Sequence, residues 1–352
     1  MANYDPKIKT TEYEYLYSQW EIVNTLIGGT RAMREAGTRY LIRHEKETEA
    51  GYQSRLARSY LFNGLEICAN SLSSKPLKDS INLQEKNDQI NALLASIYNN
   101  KDSLETFAFK VFREALMKGV AYALISGQEN NNTTLQDDEE NPVNPYLVFI
   151  PPEYVPVYDK DNGIVYLELP KKELTPTGEV LYKELIIYCN EVDEQGIERS
   201  VLQIYNNKDS NTMNYIETRP NQYEFGIPLY RFEIDVMSPP LLGLAYLNLT
   251  HWNSTSDQLN STRIARFPIL NYTGSREQSA EDTVISPYRI FNSGSTGTLS
   301  YVEHSGKALS VGAEEITKLE AQMNAYGDQL ISKRGYMTAT EKMVDTTHQI
   351  LN

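Results

Sequence analysis

An α+β fold is predicted for this 352-residue chain, and three features predict it. Apolar residues recur every three or four positions through residues 11–125, and the period shortens to two between Pro145 and Asp235. After that, two long helical segments bracket a short, turn-rich stretch.

The first helical region reads as Tyr15–Leu26, a break at Gly28-Gly29, then Thr48–Asn70 and Leu83–Tyr98. Leu56, Tyr60 and Leu65 share a helical spacing, as do Phe107, Val111 and Leu116. Ser103–Lys118 is the clearest of these helices. Asp102 or Ser103 offers a capping oxygen, Glu105 and Thr106 occupy the first turn, and Gly119 follows the last. VAYALIS (120–126) then reads as a buried strand. ENNNTTLQDDEENP (129–142) is too polar and acidic to order itself by burial and reads as a solvated loop.

From Pro145 to Asp235, the runs YLVFI, EYVPVY, GIVYLEL, ELIIYCN, SVLQIYN, MNYIETR and IPLYRFEI are rich in Tyr, Ile and Val and separated by Gly, Pro, Asn or Asp. Such runs predict a β-rich, largely antiparallel region.

Beyond Pro239-Pro240, Leu241–Phe267 has no proline and one early glycine, room for a helix of about 25 residues, roughly 37 Å at 1.5 Å per residue. Its stripe is thin: Leu242, Ala245, Leu249, Trp252, Ser256, Leu259 and Arg263. Pro268 ends it, and a short-stranded β module with turns at Gly294, Gly297 and Gly306 is expected next. A second helix is expected over Leu309–Leu330. Leu309, Ala313, Ile316, Leu319, Met323, Tyr326 and Leu330 form its seam, close to a 3.5-residue repeat. Glu314, Glu315, Lys318, Glu320 and Asp328 lie on its polar remainder. Seams this narrow predict lateral packing in an oligomer, with Leu249, Trp252, Leu259, Ile316, Leu319, Met323 and Tyr326 as subunit-interface candidates. The 25 tyrosines against nine phenylalanines suit contacts where the ring packs and the hydroxyl stays wet.

The composition narrows the function classes. With 47 acidic against 33 basic residues the formal charge is −14, so tight wrapping of nucleic acid by a broad basic face is not expected. Cys68 and Cys189 lie far apart and the four histidines (His44, His251, His304, His348) are scattered, so no disulfide framework, metal site or cofactor is expected. No leader-like segment opens the sequence and no apolar run reaches the ~18 residues a spanning helix needs. A soluble protein made in a reducing cytoplasm is the expectation. The Asn-x-Ser/Thr triplets at Asn248, Asn253 and Asn260 then need no sugar.

Catalytic signatures are missing as well. Gly306-Lys307-Ala308 lacks the hydroxyl and upstream glycine of a phosphate loop, and no GxGxxG, GxSxG or HExxH pattern occurs. Neighbouring carboxylates such as Glu314-Glu315 or Asp137–Glu140 read as solvated faces. No enzyme activity is expected.

Four segments carry a family resemblance. They are SQWEIVNTLIGGTRAMREAGTRYLIRHEKETEAGYQSRLARSYLFN (18–63), HWNSTSDQLNSTRIARFPIL (251–270), SGSTGTLSYVEHSGKAL (293–309) with the helix after it, and GYMTATEK (335–342). In this order and spacing, over nearly the whole chain, they resemble a family of tailed-bacteriophage portal proteins long catalogued as a domain of unknown function. None of the motifs is catalytic. The resemblance implies a portal-like α+β architecture: a helical and β-rich wing over 1–238, a first stem helix in 239–267, and a β clip over 268–307. A second stem helix follows in 308–331, and 332–352 holds a tunnel loop and the start of the next helix. The family usually continues into a crown; the sequence stops at Asn352 where that would begin, so the crown is expected to be either absent or not included.

The implied function is that of a structural head–tail connector subunit in the virion. It would form a homo-oligomeric ring, a dodecamer by expectation, at the capsid vertex through which double-stranded DNA is packaged and ejected, and it would be assembled in the host cytoplasm. The implied partners are the major capsid protein, the terminase and a head–tail adaptor; no membrane is involved. Lys333, Arg334, Gly335, Tyr336 and Met337 fall on the tunnel loop, where the two cations would touch passing phosphates. Glu314, Glu315, Lys318, Glu320 and Asp328 would line the channel, where acidic groups let a polyanion slide. Tyr288, Arg289 and Phe291 on the clip would meet the terminase or adaptor. The rival readings are another head-completion or tail protein, and a maturation hydrolase of the phage head.

Overall fold

The computed structural model describes residues 5–79, 81, 103–127, 145–176, 178–192, 198–210, 212–221, 226–266, 269–273, 298–302 and 306–333. They form a mixed α+β fold whose paired strands are all antiparallel. The chain divides into two compact units: Met1–Ile27, Leu65–Ala245 and Leu330–Asn352 make one, and Gly28–Gly64 with Tyr246–Gln329 make the other.

In the first unit, helix α1 (Thr11–Ile27) begins where the Thr10 hydroxyl accepts the Tyr13 N–H at 3.1 Å. Its buried face, Tyr13, Leu16, Trp20, Val23 and Leu26, follows the helical period. The Gly28-Gly29 break ends it, with Gly29 at φ +72°. Helix α5 (Leu104–Lys118) is capped by Ser103, whose Oγ accepts the Thr106 N–H. It stops at Gly119, whose φ of +84° and 2.3 Å approach of a would-be Cβ to the Asp235 carbonyl leave room only for glycine.

Strand β1 (Val120–Ser126) follows at once and runs between β2 (Tyr146–Ile150) and β8 (Leu229–Glu233). Val120 and Tyr122 pack with Tyr13, Leu16 and Trp20, whereas Ala121 and Ala123 pack with Phe107, Val111 and Ala115. Burial on both faces is why this strand reads as a continuous apolar run.

A second sheet is a five-stranded meander of β3 (Val157–Asp159), β4 (Ile164–Thr175), β5 (Gly178–Val192), β6 (Glu198–Asn206) and β7 (Asn214–Pro220). Val165 and Leu167 join the core around Trp20, while Tyr166, Leu185, Ile187 and Cys189 form a separate cluster on the opposite face. The run EYVPVY is strand only from Val157, because Pro151, Pro152 and Pro156 lack the N–H a ladder needs and Pro152–Tyr154 closes a 3-10 turn instead.

The second unit contains α2 (Gly29–Ala36), α3 (Glu49–Arg58), the body of α6 (Leu242–Ala265), the hairpin of β9 (Ile269–Thr273) and β10 (Thr298–Val302), and most of α7 (Lys307–Lys333). Both long helices match expectation within a few residues. The single helix expected over Thr48–Asn70 is instead two, α3 and α4 (Gly64–Ser74). The reason is competition for carbonyls. Arg34 takes the Ser59 carbonyl through Nε and Nη2 at 3.0 and 2.8 Å, and the Phe62 carbonyl accepts from Asn248 at 2.9 Å and from the Gly64 N–H at 3.0 Å rather than from an N–H four residues on. The expected helix over 83–98 and the loop at 129–142 lie outside the described residues.

Candidate functional site: a polar-braced pair of long helices

Helix α6 buries Leu244, Ala245, Asn248, His251, Trp252, Thr255 and Ser256. These positions obey the three-and-four spacing of one helix face, but four of the seven are polar. That is why the apolar stripe looks thin in the sequence. The face is broad, and much of it works through hydrogen bonds.

Its partners lie in residues 40–62. Asn253 donates Nδ2–H to the Tyr40 carbonyl at 2.9 Å, and its Oδ1 accepts the Ile42 N–H at 3.2 Å, serving backbone groups where the chain turns out of the 3-10 helix Gly37–Arg39. Asn248 holds Phe62 in the same manner.

Arg55 is the centre of the brace. Its side chain is 2% exposed. It donates through Nε and Nη2 to the two Glu47 oxygens at 2.9 and 2.8 Å, through Nη2 to the Ile42 carbonyl at 2.6 Å, and through Nη1 to Asp257 and Ser256 on α6 at 3.2 and 3.4 Å. The Tyr52 ring lies 5.6 Å beneath the guanidinium. Hydrogen bonding from Arg55 holds the Glu47 carboxyl below the usual carboxylate range, and Glu47 in turn raises Arg55. A buried guanidinium is tolerable only when its donors are matched, as here.

Helices α6 and α7 run antiparallel. Gln258 donates to the Leu309 carbonyl at 2.7 Å, Ser254 to Glu315 at 3.4 Å, and His251 Nε2 lies 3.3 Å from Glu320. At the crossing, a Cβ on residue 312 would come within 2.2 Å of the Gln258 side-chain oxygen, so a larger residue than Gly312 would displace the side chain that donates to Leu309. Lower down, Met323 packs its sulfur against the backbone at Gly64, within 3.0 Å of where a Cβ would stand.

The interface candidates fare unequally. Trp252 is fully buried within one chain, and Met323 is 2% and Leu319 9% exposed there. The physical reason is the polar brace, which seats residues 40–62 on α6 and closes over positions a hydrophobic count leaves bare. Leu249, Ile316 and Tyr326 are half-buried, and Leu259 is exposed.

Of the channel candidates, Glu314, Glu315 and Lys318 are exposed, although Glu315 accepts from Ser254. Glu320 instead turns to the buried His251. Asp328 and Lys333 lie on α7, but their side chains are not among those described, and Arg334, Gly335, Tyr336, Met337, Tyr288, Arg289 and Phe291 lie outside the described residues.

The brace was missed in sequence because its partners are remote: Asn248 and Asn253 act across 186 and 213 residues. The density of Asn and Ser on α6, set aside as compositional, was the available signal. Among the described residues, no group of three or more His, Cys, Asp or Glu could hold a metal ion. No helix among them is long and apolar enough to cross a membrane.

A family model described as Domain of unknown function (DUF4055) matches residues 240–350, under a third of the chain. The match takes in α6, the β9–β10 hairpin and α7. A search of curated proteins found no match.

Proposed function

We propose that this chain is a structural portal subunit of a tailed bacteriophage, acting as a ring at the capsid vertex rather than as an enzyme. The observation that carries the proposal is the antiparallel pair α6 and α7 joined across a small β hairpin. It agrees with the stem–clip–stem order implied by the resemblance in the chain's motifs. The hairpin's register, Ile269 opposite Val302 through Thr273 opposite Thr298, returns the chain from the end of one long helix to the start of the next.

The chemistry is permissive for this role. A channel for duplex DNA must not bind it tightly, because each phosphate neutralised adds attraction that translocation must break. A chain of formal charge −14, with Glu314 exposed on α7, meets that demand. Hydrolysis of nucleotide would belong to a separate motor protein docking on the ring, with capsid protein and adaptor as the other contacts. The virion is the place where such a subunit acts.

Negative-stain imaging of the purified protein tests the proposal. Closed rings of about a dozen copies around a central hole are expected, as heterologous contacts that close on themselves require. Dispersed monomers or open filaments would reject it, and would leave a tail or head-completion protein as the reading to pursue.

A further inference from the structure

The face of β1 that packs on α1 borders a small cavity whose walls are apolar but whose polar groups are not all used. Arg231 on β8 stands directly opposite Tyr122 on β1, so both side chains leave the same face of the sheet. Val120 and Tyr122 on that face join the core around Trp20. Arg231 and Tyr122 bound a cavity of about 60 Å³ whose apolar walls are Tyr13, Trp20, Val120 and Val155. Glu12 and Tyr158 line it as well, and every one of these residues belongs to the first compact unit.

Two polar groups here lack partners. The Arg231 side chain gives Nη2 to Glu12 at 2.8 Å and to Glu233 at 3.1 Å, yet its Nε–H is buried with no acceptor among the described residues. Tyr122 is 4% exposed, and its hydroxyl makes no hydrogen bond among the described residues either. Burial holds that hydroxyl above the usual phenol range, so it keeps its proton and is able both to donate and to accept. Buried polar groups are normally matched, and the cavity holds more than a single water. Charge selects the class of group that matches these two. Two carboxylates share one guanidinium, so an anion would meet a net negative lining, while a cation would face an N–H that needs an acceptor. A neutral, planar group with both an acceptor and a donor satisfies the site. Its carbonyl oxygen takes the Arg231 Nε–H, its N–H meets the Tyr122 oxygen, and its flat body lies against aromatic rings.

We infer that Tyr122 and Arg231 form a socket for a primary carboxamide, either the side chain of a glutamine or asparagine on a partner protein or a free aliphatic amide. Glu12 keeps Arg231 neutralised and in place, and the walls around Trp20 exclude water from the hydrogen bonds made there. The inference goes beyond the portal reading and does not rest on it, since every residue it uses lies outside the helix pair α6 and α7. A partner's side chain seated here would fasten that protein to the first unit.

Trp20 lines the cavity and is one of two tryptophans, so in the full chain carrying Trp252→Phe it alone reports occupancy by fluorescence. Propionamide is expected to change the emission saturably in the millimolar range, as suits so small a probe. Propionate and propylammonium, of similar shape, should bind about tenfold more weakly or not at all. Adding Tyr122→Phe should weaken propionamide about tenfold, the worth of one net hydrogen bond. Arg231→Lys, which keeps the charge beside Glu12 but removes the Nε–H, should do the same. Circular dichroism checks that both variants fold, and the comparison of the three probes requires neither. A blocked glutamine tripeptide that binds more tightly than propionamide identifies a protein side chain as the occupant, and one that fails where propionamide binds identifies a free amide. A response that does not saturate, a charged probe that binds as well as the amide, or an affinity that neither substitution changes would overturn the inference. Particle mass reads ring formation separately, so either result leaves the portal reading to its own test.

Discussion

The two compact units solve the same problem, holding a helix against its neighbours, by different means. In the first, α1 and α5 press opposite faces of β1 through Tyr13, Leu16 and Trp20 on one side and Phe107, Val111 and Ala115 on the other. Loss of area is what would hurt there. In the second, α6 is fastened to residues 40–62 by Asn248, Asn253 and the Arg55 network. The danger there is a polar group left without its partner. An apolar core tolerates swaps of similar volume, but a polar brace accepts few replacements and so fixes register more strictly.

The contrast can be broken most directly at Arg55. Arg55→Met should cost about 3–5 kcal/mol, since it strands the Glu47 carboxylate, itself only 12% exposed, without its donor. Adding Glu47→Leu should recover much of that loss. Chemical denaturation of both variants measures it, and a double variant as weak as the single would place the energy elsewhere.

Trp252→Ala comes next at about 3–5 kcal/mol from the cavity left behind, with no second-site rescue. Trp252→Phe sharpens the point. The indole N–H is buried and finds no acceptor among the described residues, so its removal offsets part of the lost volume and the cost should stay under about 1.5 kcal/mol. Thermal melting of the two variants separates volume from polarity.

Asn253→Ala should cost about 0.5–1.5 kcal/mol by removing the hydrogen bonds to the Ile42 N–H and the Tyr40 carbonyl. Hydrogen exchange at Ile42 should speed up while Tyr122 in β1 keeps its protection. At the small end, Leu174→Thr on the solvent side of the β4–β5 hairpin, where the leucine is 82% exposed, should change stability by less than about 0.5 kcal/mol.

Acid provides another separation. The Glu47 carboxyl titrates lower folded than unfolded because Arg55 donates to it. Its contribution is therefore complete above the ordinary carboxylate range near 4.3 and disappears as pH falls through the lower folded value. Melting temperature followed from pH 7 to pH 3 should fall more steeply in the wild type than in R55M/E47L; parallel curves would deny the pair this role.

Much of the first unit was legible in the sequence because its rules are local. Ser103 and Gly119 bound α5 by capping and a left-handed turn, and the unbroken run VAYAL announces a strand covered on both faces. The lengths of α6 and α7 were legible for the same reason. What the sequence did not disclose is which face of α6 is buried, because burial there is bought with hydrogen bonds to residues about 200 positions away. The break at Ser59–Asn63 was hidden likewise, since it depends on Arg34 and Asn248 claiming carbonyls a local reading assigns to the helix. Three of the candidate contacts, Trp252, Leu319 and Met323, are buried within one chain, while Leu259 is 37% exposed.

If the brace completes each chain internally, neighbours in a ring must meet through surfaces such as Leu259, and assembly should survive variants that leave the brace intact. Particle mass of the purified chain at micromolar concentration is the most direct measurement. The ring account predicts one species of about a dozen 40.1 kDa subunits, approaching half a megadalton. A single species at the mass of one subunit, unchanged as concentration rises, would contradict it.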